Sequence, residues 1–182
     1  FADRSLTVTT TTVVDATNVK ITGGSGSQDD VITMASGGVG VIIDSKDGAD
    51  TVTGGGGDDT IIGGAGNDTI VGGGGSDVAI FAGDQADFTF AVAADGILTV
   101  TDTNTVLGVD IVSEVETLRF NDGDLTVTTE ENGRVTLTGS DEDDKITIVG
   151  AVGATMEGLA GDDVIDGGAG DDIIDGGRGD DI

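Results

Sequence analysis

Over its most regular stretch, Gly54 to Ile80, the chain repeats one pattern of apolar and polar positions every nine residues. It reads GGGGDDTII, GGAGNDTIV, GGGGSDVAI, three nonapeptides without a gap. Glycine fills the first, second and fourth positions: Gly54, Gly55 and Gly57, then Gly63, Gly64 and Gly66, then Gly72, Gly73 and Gly75. Asp59, Asp68 and Asp77 take the sixth position, and Ile61, Ile70 and Ala79 the eighth. Nine residues are too few for a helical-hairpin repeat. They suit a parallel β-roll, in which each nonapeptide supplies one turn and one short strand.

Upstream, Leu6–Thr9 and Val19–Thr22 alternate apolar and polar residues at period two and predict strands, with a polar connection around Asp15–Asn18. From Ser25 the nonapeptide frame begins in degenerate form. SGSQDDVIT (25–33) keeps Asp30 and Ile32, SGGVGVIID (36–44) has Val41 where the acid belongs, and SKDGADTVT (45–53) recovers Asp50 and Val52. After Ile80 the frame stops. Residues 85–119 read as antiparallel β, and DIVSEVETLRF (110–120) mixes strand and helix spacings, which predicts a short turn or helix leading into a strand. Ala79, small for its position, suits a terminal coil.

The chain then repeats itself at an offset of about 119 residues. FADRSLTV (1–8) matches FNDGDLTV (120–127), and VKITGGSGSQDDVITM (19–34) matches VTLTGSDEDDKITI (135–148). VGAVGATME (149–157) puts Ala154 where Val41 stood, so both copies lack the acid in the same repeat. GLAGDDVID, GGAGDDIID and GGRGDDI (158–182) correspond to 45–53, 54–62 and 63–69. Shared strands and a shared gap are not expected of chance Gly/Asp similarity, so a tandem duplication is the reading. The chain starts where one unit would end and stops inside a nonapeptide, which predicts a piece of a longer array. Glu131-Asn132-Gly133-Arg134 predicts a hairpin turn, because Asn-Gly tolerates positive φ. The expected division is 1–24 as a strand segment, 25–84 as the first roll, 85–138 as a β-rich connection with a hairpin, and 139–182 as a truncated second roll.

Charge changes this picture. The 182 residues carry a formal net charge of −28, from 35 acidic and 7 basic side chains. Such a chain repels nucleic acid and anionic membranes, and its natural counter-species are cations. So much charge would ordinarily mean disorder. Yet 36% of residues are hydrophobic and recur in register, which points to a fold conditional on a cation. Cysteine, histidine, tryptophan, tyrosine and proline are all absent, which removes disulfides, thiolate or imidazole metal sites and most nucleophile–base pairs. No apolar run is long enough to span a bilayer.

The turn itself has the chemistry of a calcium site. Ca²⁺ takes six to eight oxygens at about 2.3–2.6 Å from carboxylates and carbonyls. Glycines allow positive φ and leave carbonyls unobstructed, while the sixth-position Asp adds a carboxylate. Two nonapeptides complete one coil, so turns alternate between two edges. Ions should bridge repeats two apart: Asp50 with Asp68 on one edge, Asp59 with Asp77 on the other, and Asp163 with Asp181 in the second copy. Sites using the turns of Val41 or Ala154 should be weakened. Same-edge carboxylates about 5 Å apart repel by ~0.8 kcal/mol in water and ~3 kcal/mol at an effective dielectric of 20, so folding and ion binding are expected to be one equilibrium. The fifth-position acids Asp58, Asp162, Asp171 and Asp180 read as solvated loop residues. Arg119 and Arg134 read as surface partners of Glu116 or Glu131. The alternating threonines (Thr7, Thr9, Thr11; Thr99, Thr101, Thr103, Thr105) read as outward strand positions.

At these residues the chain resembles the RTX (repeats-in-toxin, haemolysin-type calcium-binding) family, whose pattern GGxGxDxUx is met by 54–62, 63–71 and 167–175. DIVSEVETLRFNDG (110–123) is similar to a VExLxFxDG stretch that often follows such rolls in that family. The fold expected is all-β, with parallel calcium-binding β-roll segments joined by antiparallel hairpin or sandwich-like segments. The expected ligand set is Asp50, Gly54, Gly55, Gly57, Asp59, Gly63, Gly64, Gly66, Asp68, Gly72, Gly73, Gly75 and Asp77 in the first roll. In the second it is Asp144, Gly161, Asp163, Gly167, Gly168, Gly170, Asp172, Gly176, Gly177, Gly179 and Asp181. The resemblance implies several Ca²⁺ ions and export through a type I secretion system, unfolded inside and folding in extracellular calcium.

It does not choose an activity. One reading is a non-catalytic module of a surface-layer or adhesin array, whose partners are Ca²⁺ and copies of itself or neighbouring units. A second is a carbohydrate-binding accessory module of a secreted polysaccharide-modifying enzyme, against which the lack of Trp and Tyr counts. Glycosidase-like chemistry from paired carboxylates is a distant third, because the acids are accounted for by the metal frame. Expected partners thus include Ca²⁺ and a cell-surface polysaccharide, with no nucleic acid and no membrane insertion.

Overall fold

The computed structural model describes residues 7–9, 19–24, 26–34, 37–104, 106–130 and 132–182. Leu6, Thr11, the Asp15–Asn18 connection, Ser25, Ser36, Thr105 and Glu131, all drawn on above, lie outside the described residues.

The nonapeptides wind as predicted. The first roll comprises β1 (Thr7–Thr9), β2 (Val19–Thr22), β3 (Val31–Thr33), β4 (Val41–Asp44), β5 (Thr51–Gly56), β6 (Thr60–Ile62), β7 (Thr69–Gly74) and β8 (Val78–Ile80). Odd strands pair in parallel in one sheet and even strands in the other. Ile32, Val52 and Ile70 stack in register on one side, and Ile21, Ile43, Ile61 and Ala79 on the other. The eighth-position residues Ile32, Ile43, Val52, Ile61, Ile70 and Ala79 are buried. Each large aliphatic among them contributes roughly 2 kcal/mol of burial. The degenerate repeats contribute β3 and β4, which pair in the same parallel register as the strands of the glycine-rich repeats.

A three-residue 3-10 turn (Gln85–Asp87) leads into β9 (Phe88–Val92), β10 (Leu98–Asp102) and β11 (Val109–Ser113), followed by β12 (Thr117–Arg119), β13 (Asp124–Thr129) and β14 (Val135–Thr138). Here DIVSEVETLRF has the expected turn leading into a strand, with a further strand ahead of that turn. It forms two strands and no helix. β11 pairs in parallel with β7, and β12 in parallel with β8, so together they make one further coil of the roll. Val112, Val115, Leu118 and Phe120 are all buried. Their helix-like spacing arises because the turn Glu114–Glu116 interrupts the strand period. Ala79 therefore does not end the stack, since Leu118 lies over it.

β9, β10 and β11 are antiparallel neighbours, as are β12, β13 and β14. Gly133, at φ +82°, forms the hairpin turn between β13 and β14. The second roll adds β15 (Lys145–Thr147), β16 (Thr155–Glu157), β17 (Val164–Asp166) and β18 (Ile173–Asp175). One sheet runs β2-β4-β6-β8-β12-β13-β14-β16-β18 from end to end. The other runs β1-β3-β5-β7-β11-β10-β9 and reaches β15-β17 through the bridge Phe90↔Ile148. Residues 85–138 are thus part of the stack, and one core cluster extends through both rolls. At its middle, Phe120 packs against Phe81, Phe88 and Phe90 with ring centroids 5.0–6.1 Å apart. The duplicated strands differ in place: β1 pairs with β3 in parallel, whereas β13 sits antiparallel between β12 and β14. Among the described residues no helix is long and apolar enough to cross a membrane.

Candidate metal centre

Each turn is shaped by its second and fourth positions. Gly55 and Gly57 have φ of +105° and +125°, in the region that side chains disfavour. The frame holds even where glycine is missing, because Lys46 (φ +80°) and Leu159 (φ +77°) occupy the second position in the same conformation. At the first position a Cβ on Gly54, Gly63, Gly72 or Gly158 would collide with Oδ2 of Asp59, Asp68, Asp77 or Asp163, respectively. The open space beside each oxygen exists only because glycine is there.

The sixth-position carboxylates form a ladder along each edge. Asp50 N–H donates to Asp68 Oδ1 and Asp59 N–H to Asp77 Oδ1, both at 2.8 Å. Asp30 N–H donates to Asp50 Oδ1 at 2.7 Å, and in the second roll Asp144 N–H donates to Asp163 Oδ1 at 2.8 Å. Each acid thus spends one oxygen on the backbone of the coil two repeats earlier. The other oxygen, Oδ2 of Asp50, Asp59, Asp68, Asp77 and Asp163, is buried without a hydrogen-bond partner. Leaving a buried acceptor unmatched costs about 1–3 kcal/mol, and more for a charged one. Burial pushes Asp59 and Asp68 up to about 6, against the counter-effect of backbone N–H groups of Val41 and Asp50. It raises Asp50, Asp77 and Asp163 as well. Among the described residues no three acidic side chains converge on one point. A cation here would be held by paired carboxylates together with turn carbonyls. Hard oxygens, a buried orphan at each of these five turns and a glycine-lined space fit Ca²⁺.

The RTX calcium-binding nonapeptide repeat matches this chain in four copies, over residues 44–79 and 150–182. These turns are RTX repeats. No curated protein matches the chain. Among solved structures, the extracellular lipase LipA from Serratia marcescens aligns over 86% of this chain at 20% identity and a TM-score of 0.49. The chain spans 29% of that lipase's length.

The RTX frame also shows what the residue pattern left unread. Asp144, in the expected set, has Oδ2 occupied by Ser140, whose N–H and hydroxyl donate at 2.6 and 3.1 Å. Asp172 and Asp181 sit at the more open end of the second roll. The fifth-position acids are exposed, as read, but they are not idle. Asp58 Oδ1 accepts the Ser76 N–H at 2.9 Å, and Asp162 Oδ1 accepts the Asp180 N–H at 3.0 Å, a second ladder running opposite to the first.

Where Val41 and Ala154 replace the acid, the backbone still donates, to Asp59 Oδ1 at 2.8 Å and Asp172 Oδ1 at 2.9 Å. Both aliphatic side chains are buried, so the gap is filled with packing. Arg134, whose expected partner Glu131 lies outside the described residues, donates to Ala154 O at 2.8 Å, Asp171 O at 3.1 Å and Thr155 Oγ1 at 2.9 Å. Its guanidinium binds the carbonyls of two same-edge turns where a carboxylate is missing. Arg119 pairs with Asp124, not Glu116, because β12 and β13 place them opposite each other.

Proposed function

We propose that this chain is a calcium-dependent structural module of a secreted cell-surface protein, non-catalytic and part of a surface-layer or adhesin array. The carrying observation is the ladder of buried, unpartnered Asp Oδ2 atoms at RTX turns, for which a divalent cation is the matching counter-charge. Bound Ca²⁺ would be held by Asp50, Asp59, Asp68, Asp77 and Asp163 with carbonyls of their glycine turns, and would supply the positive charge that lets like-charged coils stack. Without it the chain carries its −28 uncompensated, which favours the open state in a low-calcium interior and folding after export. The tandem unit supports an array. The cleft of about 390 Å³ beside the β9–β10 hairpin is lined by Asp95, Ser113, Glu114, Glu116 and Thr129 together with apolar groups such as Ile97 and Val112, so the carbohydrate reading has polar groups there but no aromatic stacking platform. Calcium titration followed by circular dichroism tests the proposal: β signal should appear by millimolar Ca²⁺, and a flat response would sink it.

A further inference from the structure

In the first roll RTX matching ends at residue 79, but the ladder does not. The coil formed by β11 and β12 lies directly on the last nonapeptides, and it carries its own acids in ladder position. Asp68 N–H donates to Asp110 Oδ1 at 2.8 Å, as Asp50 N–H does to Asp68. Ile111 N–H donates to Asp68 O at 2.8 Å, repeating the bond of Thr69 N–H to Asp50 O. Gly108 stands two residues before Asp110, at φ +95°, as Gly66 stands two before Asp68 at +131°. A Cβ on Gly108 would collide with Gly66 O, the close turn-on-turn approach seen between Gly75 and Gly57. Val112, two residues after Asp110, is buried and in register with Ile70.

Residues 106–113 therefore keep the fourth-position glycine, the sixth-position acid and the eighth-position aliphatic of a nonapeptide, detached from the frame by the β9–β10 hairpin. Asp102 holds the turn in shape by accepting the N–H groups of Asn104, Val106 and Leu107 at 2.8–2.9 Å. Asp68 is 1% exposed and keeps its Oδ2 without a partner, and Asp110, 3% exposed, is the next carboxylate on that edge. On the opposite edge Glu116 Oε2 accepts the Asp77 N–H at 2.8 Å. That turn has only three residues between its strands and no glycine, so it has ladder continuity without the cradle.

We infer that the turns around Asp68 and Asp110 form an additional divalent-cation site, with Asp110 as its outer carboxylate and turn carbonyls near Gly66 and Gly108 beside it. The inference rests on the calcium reading of the RTX turns. It extends the metal edge one coil into the segment that joins the rolls, so that calcium clamps the first roll to the centre of the stack.

Asp110→Asn tests it, because the amide oxygen can still accept the Asp68 N–H while the charge is removed. Ions bound per chain, counted by equilibrium dialysis with elemental analysis, should fall by one, with the β signal at saturating calcium retained. An unchanged count overturns the inference. Should the variant not fold, anomalous diffraction from wild-type crystals grown in calcium decides. A peak between Asp68 and Asp110 supports the site, and peaks at the nonapeptide turns alone overturn it. Absence of bound calcium anywhere would instead defeat the underlying RTX reading.

Discussion

The side-chain amide of Gln85 takes the place of a peptide unit at Asp144. Its Nε2 donates to Asp144 Oδ1 at 2.7 Å and its Oε1 accepts the Lys145 N–H at 2.8 Å. One coil later Asp144 itself does the same with its backbone: its N–H donates to Asp163 Oδ1 and its C=O accepts the Val164 N–H. Gln85 thus caps the second ladder from the joining segment. Gln85→Ala should destabilise the second roll by roughly 2 kcal/mol, since it strands a buried carboxylate and an N–H. Gln85→Glu should be worse, because it faces a carboxylate with another. Hydrogen exchange at the Lys145 amide reports it, and unchanged protection in Gln85→Ala would refute the cap.

Acidity should act in opposite directions with and without calcium. Burial pushes Asp59 and Asp68 up to about 6 and Asp110 up to about 7, above the ordinary 3.8. Calcium-free, the folded state then holds protons that the unfolded chain releases. Their stabilisation is fully present below about pH 4 and is lost as pH rises through 6 to 7. In EDTA, β signal should therefore grow as pH falls from about 8 to 5. In limiting calcium the same change should weaken folding, because protons compete for the carboxylates. Circular dichroism in both buffers checks this, and one common trend would count against it.

Arg134 should matter to stability but not to calcium. Arg134→Ala removes hydrogen bonds to Ala154 O, Asp171 O and Thr155 Oγ1, a loss of roughly 2 kcal/mol. The number of ions bound should not change. A lower ion count in this variant would mean that the turn of Ala154 binds metal after all.

Leu159 stores backbone strain. It holds φ +77° while 45% exposed, so its side chain returns little for the unfavourable conformation. Leu159→Gly should stabilise the second roll by about 1 kcal/mol, read as a higher urea midpoint in saturating calcium. A lower midpoint would show that its contacts outweigh the strain.

Residue identity made the rolls legible because their period is local. Gly54 to Ile80 repeats turn, acid and aliphatic at fixed spacing, and Ile61 or Ile70 could face only the core. The pairing of Asp50 with Asp68 and of Asp59 with Asp77 follows from two nonapeptides per coil. Asp110 was hidden because only Gly108 and Val112 remain of its frame and a hairpin separates it from Asp68. Glu116 was hidden by a shortened turn, which the longer glutamate side chain spans. Gln85 and Arg134 carried no pattern at all. Each replaces a missing ladder element with a side chain from outside the nonapeptide frame, and only the stacking of β9 to β14 brings them there.

Both sheets hydrogen-bond along the stacking direction, with β1 and β2 at one end and β18 at the other. Tension between those ends would pass through every coil contact in series, so the weakest contact sets the strength of the whole. The thinnest backbone pairing is where the first sheet crosses to the second roll, on the bridge Phe90↔Ile148 with the Gln85 side chain bonded to Asp144 and Lys145 beside it, while β13 and β14 hold the other sheet by four residue pairs. An optical-trap trace should show the two rolls parting there before either unwinds, with calcium raising the force of the later steps more than of the first.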